Sequence, residues 1–303
     1  SGSDFLSSVD SSAEQTAALL QLATQLKQGD RRIDLGNRVL GLIFTKASTR
    51  TRVSFQVAMA RLGGQTVDLN PQVTQLGRGE PLEDTARVLS RFCDALAIRT
   101  FAQQELADYA HWASIPVINA LTDLEHPCQA LADFLTMQEA FGDLQGQTLA
   151  YVGDGNNVAH SLMLCGALLG VNVRIGCPEG FEPLPGVVDQ ARALSVGGAQ
   201  ISVITDPVEA VRGAQALYTD VWASMGQEQE QAERERAFQG FCLNEDLLAE
   251  ADSRAIVLHC LPAHRGEEIS AGVMEGPSSR IFDQAENRLH AQQALLAALL
   301  GGL

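Results

Sequence analysis

Lysine is almost missing from this chain: of 303 residues, only Lys27 and Lys46 carry it. A GxxxxGK[ST] nucleotide loop is therefore excluded, and a lysine Schiff base would have to use one of those two. No apolar stretch approaches the roughly 18 residues of a membrane span. The opening SGSDFLSS lacks the basic and apolar regions of a secretory signal. The expected setting is thus cytoplasmic, with no membrane partner. The six cysteines (Cys93, Cys128, Cys165, Cys177, Cys242, Cys260) form no CxxC pair, and the six histidines form no HExxH. Reduced thiols are expected rather than a disulfide framework or a zinc site. Basic charge is also short, with 21 Lys and Arg against 37 Asp and Glu, a formal net charge of -16. Such a surface repels phosphate backbones, so no nucleic-acid partner is expected and any anion must be captured by a local arrangement.

What is present is an ordinary globular composition, 46% hydrophobic and 19% charged, in a chain long enough for two domains. Ser11-x-x-Glu14 has the capping-box form and opens a predicted helix to about Lys27. Strand-like apolar runs follow at 39–44, 66–69, 95–98 and 116–121, separated by helical patterns at 53–62, 82–92, 104–113 and 127–141. After the turn-rich stretch 142–146 a second series begins. Its strands are expected at 148–152, 171–175, 201–204, 216–221 and 255–258, and its helices at 157–169, 187–194 and 207–212. A long Ala- and Leu-rich helix, 283–300, closes the chain. This alternation predicts an α/β fold of two doubly wound parallel-sheet domains, residues 1–142 and 147–282, with 283–303 packing back on the first. Ligands of such sheets bind beyond the carboxyl ends of the strands, so the active site is expected in the cleft between the domains.

The unusual polar residues fall at those strand ends. Ser48-Thr49-Arg50-Thr51-Arg52 follows a strand and opens a helix, where free N–H groups, the helix dipole and forked guanidinia suit phosphate or carboxylate. An N-cap followed by solvated arginines fits the same letters. Arg99 ends a strand, and His126-Pro127-Cys128-Gln129 enters a helix with Pro at its first position. With Arg50 these residues make a donor cluster for phosphate and for a carbonyl oxygen gaining charge. Gly153-Asp154-Gly155-Asn156-Asn157 invites a dinucleotide reading, but Val158 replaces the third glycine, which leaves a nicotinamide oxidoreductase as an alternative class. Asp220 ends a strand ahead of Trp222-Ala223-Ser224-Met225-Gly226 and could hold a cationic amine or form a simple turn. The run 227–236 reads as a solvated helix face. His259-Cys260-Leu261-Pro262-Ala263 ends an apolar strand at a thiol, and His259 points to the opposite face from Cys260.

Taken with Gln75-Leu76-Gly77-Arg78-Gly79-Glu80 and Phe282-Asp283-Gln284-Ala285-Glu286-Asn287-Arg288, these motifs closely resemble the ornithine carbamoyltransferases of the aspartate/ornithine carbamoyltransferase superfamily, across nearly the whole chain. The resemblance implies transfer of a carbamoyl group from carbamoyl phosphate to the δ-amine of L-ornithine, giving citrulline and phosphate, as in arginine biosynthesis. It implies a carbamoyl phosphate site of Ser48, Thr49, Arg50, Thr51, Gln75, Arg99, His126, Pro127, Cys128, Gln129, Cys260, Leu261 and Arg288. It implies an ornithine site of Asn157, Asp220, Ser224 and Met225, with catalysis falling to Arg50, Arg99, His126, Asp220 and Cys260. A homotrimer is implied, with the loop of Gln75 reaching a neighbouring subunit's site, and no metal or cofactor. Acetylornithine and putrescine remain alternative acceptors. Aspartate is disfavoured, because the loop 72–80 has no Lys, Ala263 rather than Arg follows Pro262, and Asp220 would repel a carboxylate. Gln56 stands where many relatives carry Glu.

Overall fold

A computed structural model describes residues 4–70, 79–224, 227 and 230–301. The chain divides into two compact units, Ser1–Ala132 with Asn287–Leu303, and Asp133–Glu286. Among the described residues, no helix is long and apolar enough to cross a membrane.

The first unit runs α1 (Ala13–Gln28), β1 (Val39–Phe44), α2 (Arg50–Arg61), β2 (Gln65–Asp68), α3 (Leu82–Leu89), β3 (Ala95–Arg99), α4 (Gln103–Trp112) and β4 (Val117–Leu121), then enters α5 (Pro127–Phe141). Its sheet is parallel, in the order β2-β1-β3-β4. Helices cover both faces of such a sheet, which is why β1 reads as an unbroken apolar run, VLGLIF, rather than an alternating one. Ile43, Leu96, Ile98, Leu106, Tyr109 and Val117 form one side of the core. The capping box of α1 lies one residue beyond the expected position. Ser12 is the N-cap and Gln15 its reciprocal partner, while Glu14 accepts the Ser12 hydroxyl.

The second unit contains β5 (Thr148–Val152), α6 (Asn157–Leu168), β6 (Asn172–Gly176), α7 (Pro185–Leu194), β7 (Ile201–Ile204), α8 (Pro207–Val211), β8 (Ala216–Thr219), α9 (Gln231–Ala237), α10 (Glu245–Ala249), β9 (Ile256–His259) and α11 (Ala271–Met274). The closing helix α12 (Ile281–Leu299) crosses the boundary between units. The sheet is again all parallel, in the order β7-β6-β5-β8-β9. The expected pair of doubly wound sheets is what the chain forms. Helix α6 is buried from Val158 to Leu168. Its close seat on the sheet needs Gly166, where a Cβ would stand 2.5 Å from a Val173 methyl. Phe238, Phe241, Val152, Leu217 and Val257 centre the other core. Truncating a buried aromatic such as Phe238 costs about 3–5 kcal/mol.

Strand order sets where ligands bind. In the first sheet the chain leaves β1 toward one side for β2 and returns to the other for β3, so the crevice between the loops after β1 and β3 is a topological switch point. In the second sheet β5 holds that position between β6 and β8. The loops 45–49, after Arg99, 153–156 and after Thr219 are therefore the ones the topology leaves free to hold ligands.

Candidate active site

At the first switch point the Thr45 N–H and hydroxyl both donate to the Arg99 carbonyl, at 2.9 and 3.0 Å, which ties the loop after β1 to the end of β3. Thr49 caps α2 in helical conformation and its side chain makes no capping bond. The hydroxyl is thus not used as a cap, and the positive end of α2 is left for an external anion. Arg52 points elsewhere: its guanidinium pairs with Asp68 and lies 4.9 Å over the Phe44 ring.

Arg288, on α12 and only 2% exposed, gathers this unit's ligand-bearing helices. Its Nη1 donates to Gln129 Oε1 at 2.7 Å, and its Nη2 donates to Thr51 Oγ1 at 2.9 Å and Gln292 Oε1 at 3.2 Å. One guanidinium therefore fixes the first turns of α2 and α5 together. His126 immediately precedes Pro127, the first residue of α5. The buried Glu125 beside it accepts hydrogen bonds from Ser7 and Ser8, so the N-terminal segment anchors this loop. His126 is held well below the usual histidine range, first by burial and then by the positive charges of Arg288, Arg99 and Arg50. The imidazole is neutral at pH 7, and three guanidinia act on it at once. Three positive charges gathered at one point suit an anion. Cys128 is buried, donates to the Asn119 carbonyl at 3.4 Å, and has its thiol pushed up to about 12 by burial. It is a packing residue in this structure.

Both lysines do structural work in the same unit. Lys46 Nζ is buried 2.5 Å from Asp123 and 4.1 Å over the Phe101 ring, and Lys27 Nζ donates to Asn287 Oδ1 at 2.8 Å.

In the second unit Thr219 pairs with His259 as the last register of β8 and β9. Asp220 and Cys260 follow at once, side by side: Cys260 Sγ donates to Asp220 Oδ1 at 3.0 Å. The Asp220 carboxylate, 6% exposed, also accepts from its neighbour's N–H (Val221, 2.8 Å) and from Asn156 Nδ2 at 2.9 Å. Asn156 in turn caps α6 through its Oδ1, bonding Val158 and Ala159 N–H. Its amide is thereby oriented with the NH₂ toward the carboxylate. Asn157 is the first residue of α6, and the Ser224 N–H donates to Gln227 Oε1 at 3.0 Å. Gln75 and Met225 lie outside the described residues.

The turn after β9 is held by a buried pair. His259 Nδ1 accepts the Leu261 N–H at 2.8 Å, which leaves the proton on Nε2, 2.9 Å from Glu268 Oε1. Glu268 also accepts the His264 N–H at 2.7 Å. These bonds keep Leu261 at φ 61°, a left-handed conformation costing about 1 kcal/mol for a residue with a side chain. Asp220, His259 and Cys260 could offer three metal-ligand atoms within 4.8 Å, but both His259 nitrogens are already committed to this turn.

Sequence reasoning missed Asn156, Glu268 and the buried Arg234. An Asn just ahead of a helical run is an N-cap signal that points to Asn156. Nothing local marks the other two: Arg234 is buried through Asp154, far away in the chain, and Glu268 is one of two adjacent glutamates whose letters do not say which turns inward.

One doubly wound sheet ends in a basic crevice suited to an anion and the other in a carboxylate–thiol pair, features of an α/β enzyme. The chain belongs to the aspartate/ornithine carbamoyltransferase family and is a carbamoyltransferase. Residues 3–139 match the model of that family's carbamoyl-P binding domain, and residues 145–299 match its Asp/Orn binding domain. The ornithine carbamoyltransferase of Prochlorococcus marinus (strain MIT 9313) is 85% identical over 302 residues, 100% of this chain and 95% of that protein. Among solved structures, ornithine carbamoyltransferase from Pyrococcus furiosus superposes with a TM-score of 0.95 at 48% identity, covering 100% of this chain and 98% of that one. The enzyme from Gloeobacter violaceus gives 0.91 at 57% identity, covering 98% of each.

Proposed function

We propose that this carbamoyltransferase uses ornithine: it joins the carbamoyl group of carbamoyl phosphate to the δ-amine of L-ornithine and releases citrulline and phosphate. The observation that carries the donor half is the convergence of Arg50, Arg99 and Arg288 on the buried, neutral His126 at a helix N-terminus. Ser48, Thr49, Arg50 and Thr51 would grip the phosphate, and Gln75 and Gln129 would complete the site. Arg50, Arg99 and His126 would face the carbonyl oxygen. The neutral δ-amine attacks the carbonyl carbon, the C–N bond forms, and negative charge builds on that oxygen where the donors are already fixed. The C–O bond to phosphate then breaks, and the proton lost by the amine leaves with the phosphate.

For the acceptor half, a carboxylate side chain at Asp220 suits the α-ammonium of ornithine and opposes an aspartate side chain. Asn157 and Ser224, with Met225, would take the rest of the amino-acid head. Cys260 donates to Asp220 and so orients the carboxylate and the incoming amine together. The family resemblance further supports a cytoplasmic, homotrimeric enzyme of arginine biosynthesis, with Gln75 contributed across the subunit boundary. Sedimentation would give three chains per particle. A colorimetric citrulline assay with ornithine, acetylornithine, putrescine and aspartate in parallel tests the acceptor. Ornithine should exceed the others in kcat/KM by at least about a hundredfold, since an unpaired buried polar group costs that much. A preference for any other amine would overturn the assignment.

A further inference from the structure

The acidic, glutamine-rich run expected to be a solvated helix face contains a buried cation: Arg234, on α9, is 7% exposed. Its Nη1 lies 2.9 Å from Asp154 Oδ2 and donates to the Trp222 carbonyl at 2.8 Å, while its Nε pairs with Glu230 at 3.1 Å. The guanidinium also stands 5.1 Å over the Phe181 ring, and Phe181 and Trp222 both pack on Phe238. Two of these anchors, Asp154 and Trp222, belong to different loops, while Glu230 is the N-cap of α9 itself. Asp154 precedes Asn156, which holds Asp220. Trp222 lies between Asp220 and Ser224. The Asp154 loop is itself anchored: Gly155 N–H donates to the Phe181 carbonyl, and the loop packs so close to Pro183 that a Cβ at Gly155 would stand 2.2 Å from its nitrogen.

We infer that Arg234 is a positioning residue for the acceptor substrate: it hangs the loop that carries Ser224 from the anchored loop that carries Asn156 and leads into Asn157 at the start of α6. The inference rests on the reading that these residues hold ornithine. It follows that the guanidinium governs acceptor binding without touching the acceptor. The link is also pH-sensitive. Burial pushes the Asp154 carboxyl up to about 6, against the pull of Arg234 and with Asp220 and Glu230 adding to the rise. Among the described residues, Tyr151 and Cys177 also face it, and both are driven upward by burial and stay neutral. Protonation near pH 6 removes the negative partner and slackens the loop.

The test is steady-state kinetics of R234M, R234K and D154N at saturating concentrations of the fixed substrate. R234M should raise the ornithine KM about tenfold or more and change the carbamoyl phosphate KM less than about twofold. R234K should recover part of the loss, because an ammonium keeps the charge but not the fork that spans three partners. The rise in ornithine KM from pH 7 to 5.5 should be smaller in D154N than in wild type. Trp222 supplies a readout independent of turnover, since the chain has only two tryptophans. In a W112F background, R234M should red-shift the emission. An unchanged ornithine KM and emission in R234M, or equal losses for both substrates with a lowered melting temperature, would overturn the inference. If wild type makes no citrulline, or D220N leaves the ornithine KM unchanged, the acceptor-site reading fails instead; the Trp222 emission still decides whether Arg234 holds the loop.

Discussion

Replacing Arg288 with Met keeps most of the side-chain volume and deletes the guanidinium that ties α12 to Thr51 and Gln129. The donors at 2.7 and 2.9 Å disappear, leaving Gln129 Oε1 and Thr51 Oγ1 buried without them. An acceptor stranded in this way costs about 1–3 kcal/mol. Relief from burying a cation offsets part of that sum. We expect a net loss of about 2–3 kcal/mol in both folding stability and donor binding, and for the latter that is a roughly 30- to 160-fold weaker affinity. The same substitution removes the largest positive charge acting on His126, so its pKa should rise toward the ordinary value. The assay is titration calorimetry with carbamoyl phosphate or inorganic phosphate, with urea unfolding alongside and the ornithine KM as control. A variant that binds phosphate like wild type would refute the claim that Arg288 organises the donor site.

The sequence run 48–52 is expected to divide its labour. R52Q breaks a partly exposed pair with Asp68 and its stacking on Phe44, so stability should fall by no more than about 1 kcal/mol and the carbamoyl phosphate KM should hold. His126 is neutral in the fold and takes up its proton below the usual histidine value, so the unfolded chain protonates first as pH falls. Its contribution is present above about pH 6.5 and is lost below it, at up to roughly 1.4 kcal/mol per pH unit until the folded value is reached. Urea titrations of wild type and H126Q should show a gap that narrows from pH 7 to 5, and a constant gap would contradict this. C260A removes the thiol 3.0 Å from Asp220 and should lower kcat at saturating substrates by about tenfold or more. An unchanged rate would exclude the thiol from positioning the amine.

Much of the scaffold is legible in the letters because parallel strands are buried on both faces. The runs 39–44, 148–152 and 201–204 are strands with the expected bounds. Helix starts are harder to place. Helix α2 begins at Arg50 rather than Val53, since its first turn is polar and carries no periodic signal. The α1 cap slipped by one residue because Ser-Ser-Ala-Glu-Gln satisfies the pattern in two registers, and α10 and α11 are too short to show a period at all. At the site, strand-end residues such as Asp220 and Cys260 were readable one by one, but their pairing needed the β8–β9 register. Arg234 was not, because its burial depends on Asp154 eighty positions away and on the aromatic pad around Phe238. Glu268 was hidden likewise, as one of two adjacent glutamates of which only it turns inward to His259.

The central claim is that this chain moves one carbamoyl group from phosphate to the δ-nitrogen of ornithine. Carbon-13 NMR of the enzyme with ¹³C-labelled carbamoyl phosphate and L-ornithine tests it directly. The donor signal should convert to the ureido carbon of citrulline, with one equivalent of phosphate released and no citrulline formed when ornithine is omitted. A donor signal that decays only to carbamate, or persists with ornithine present, would contradict the account.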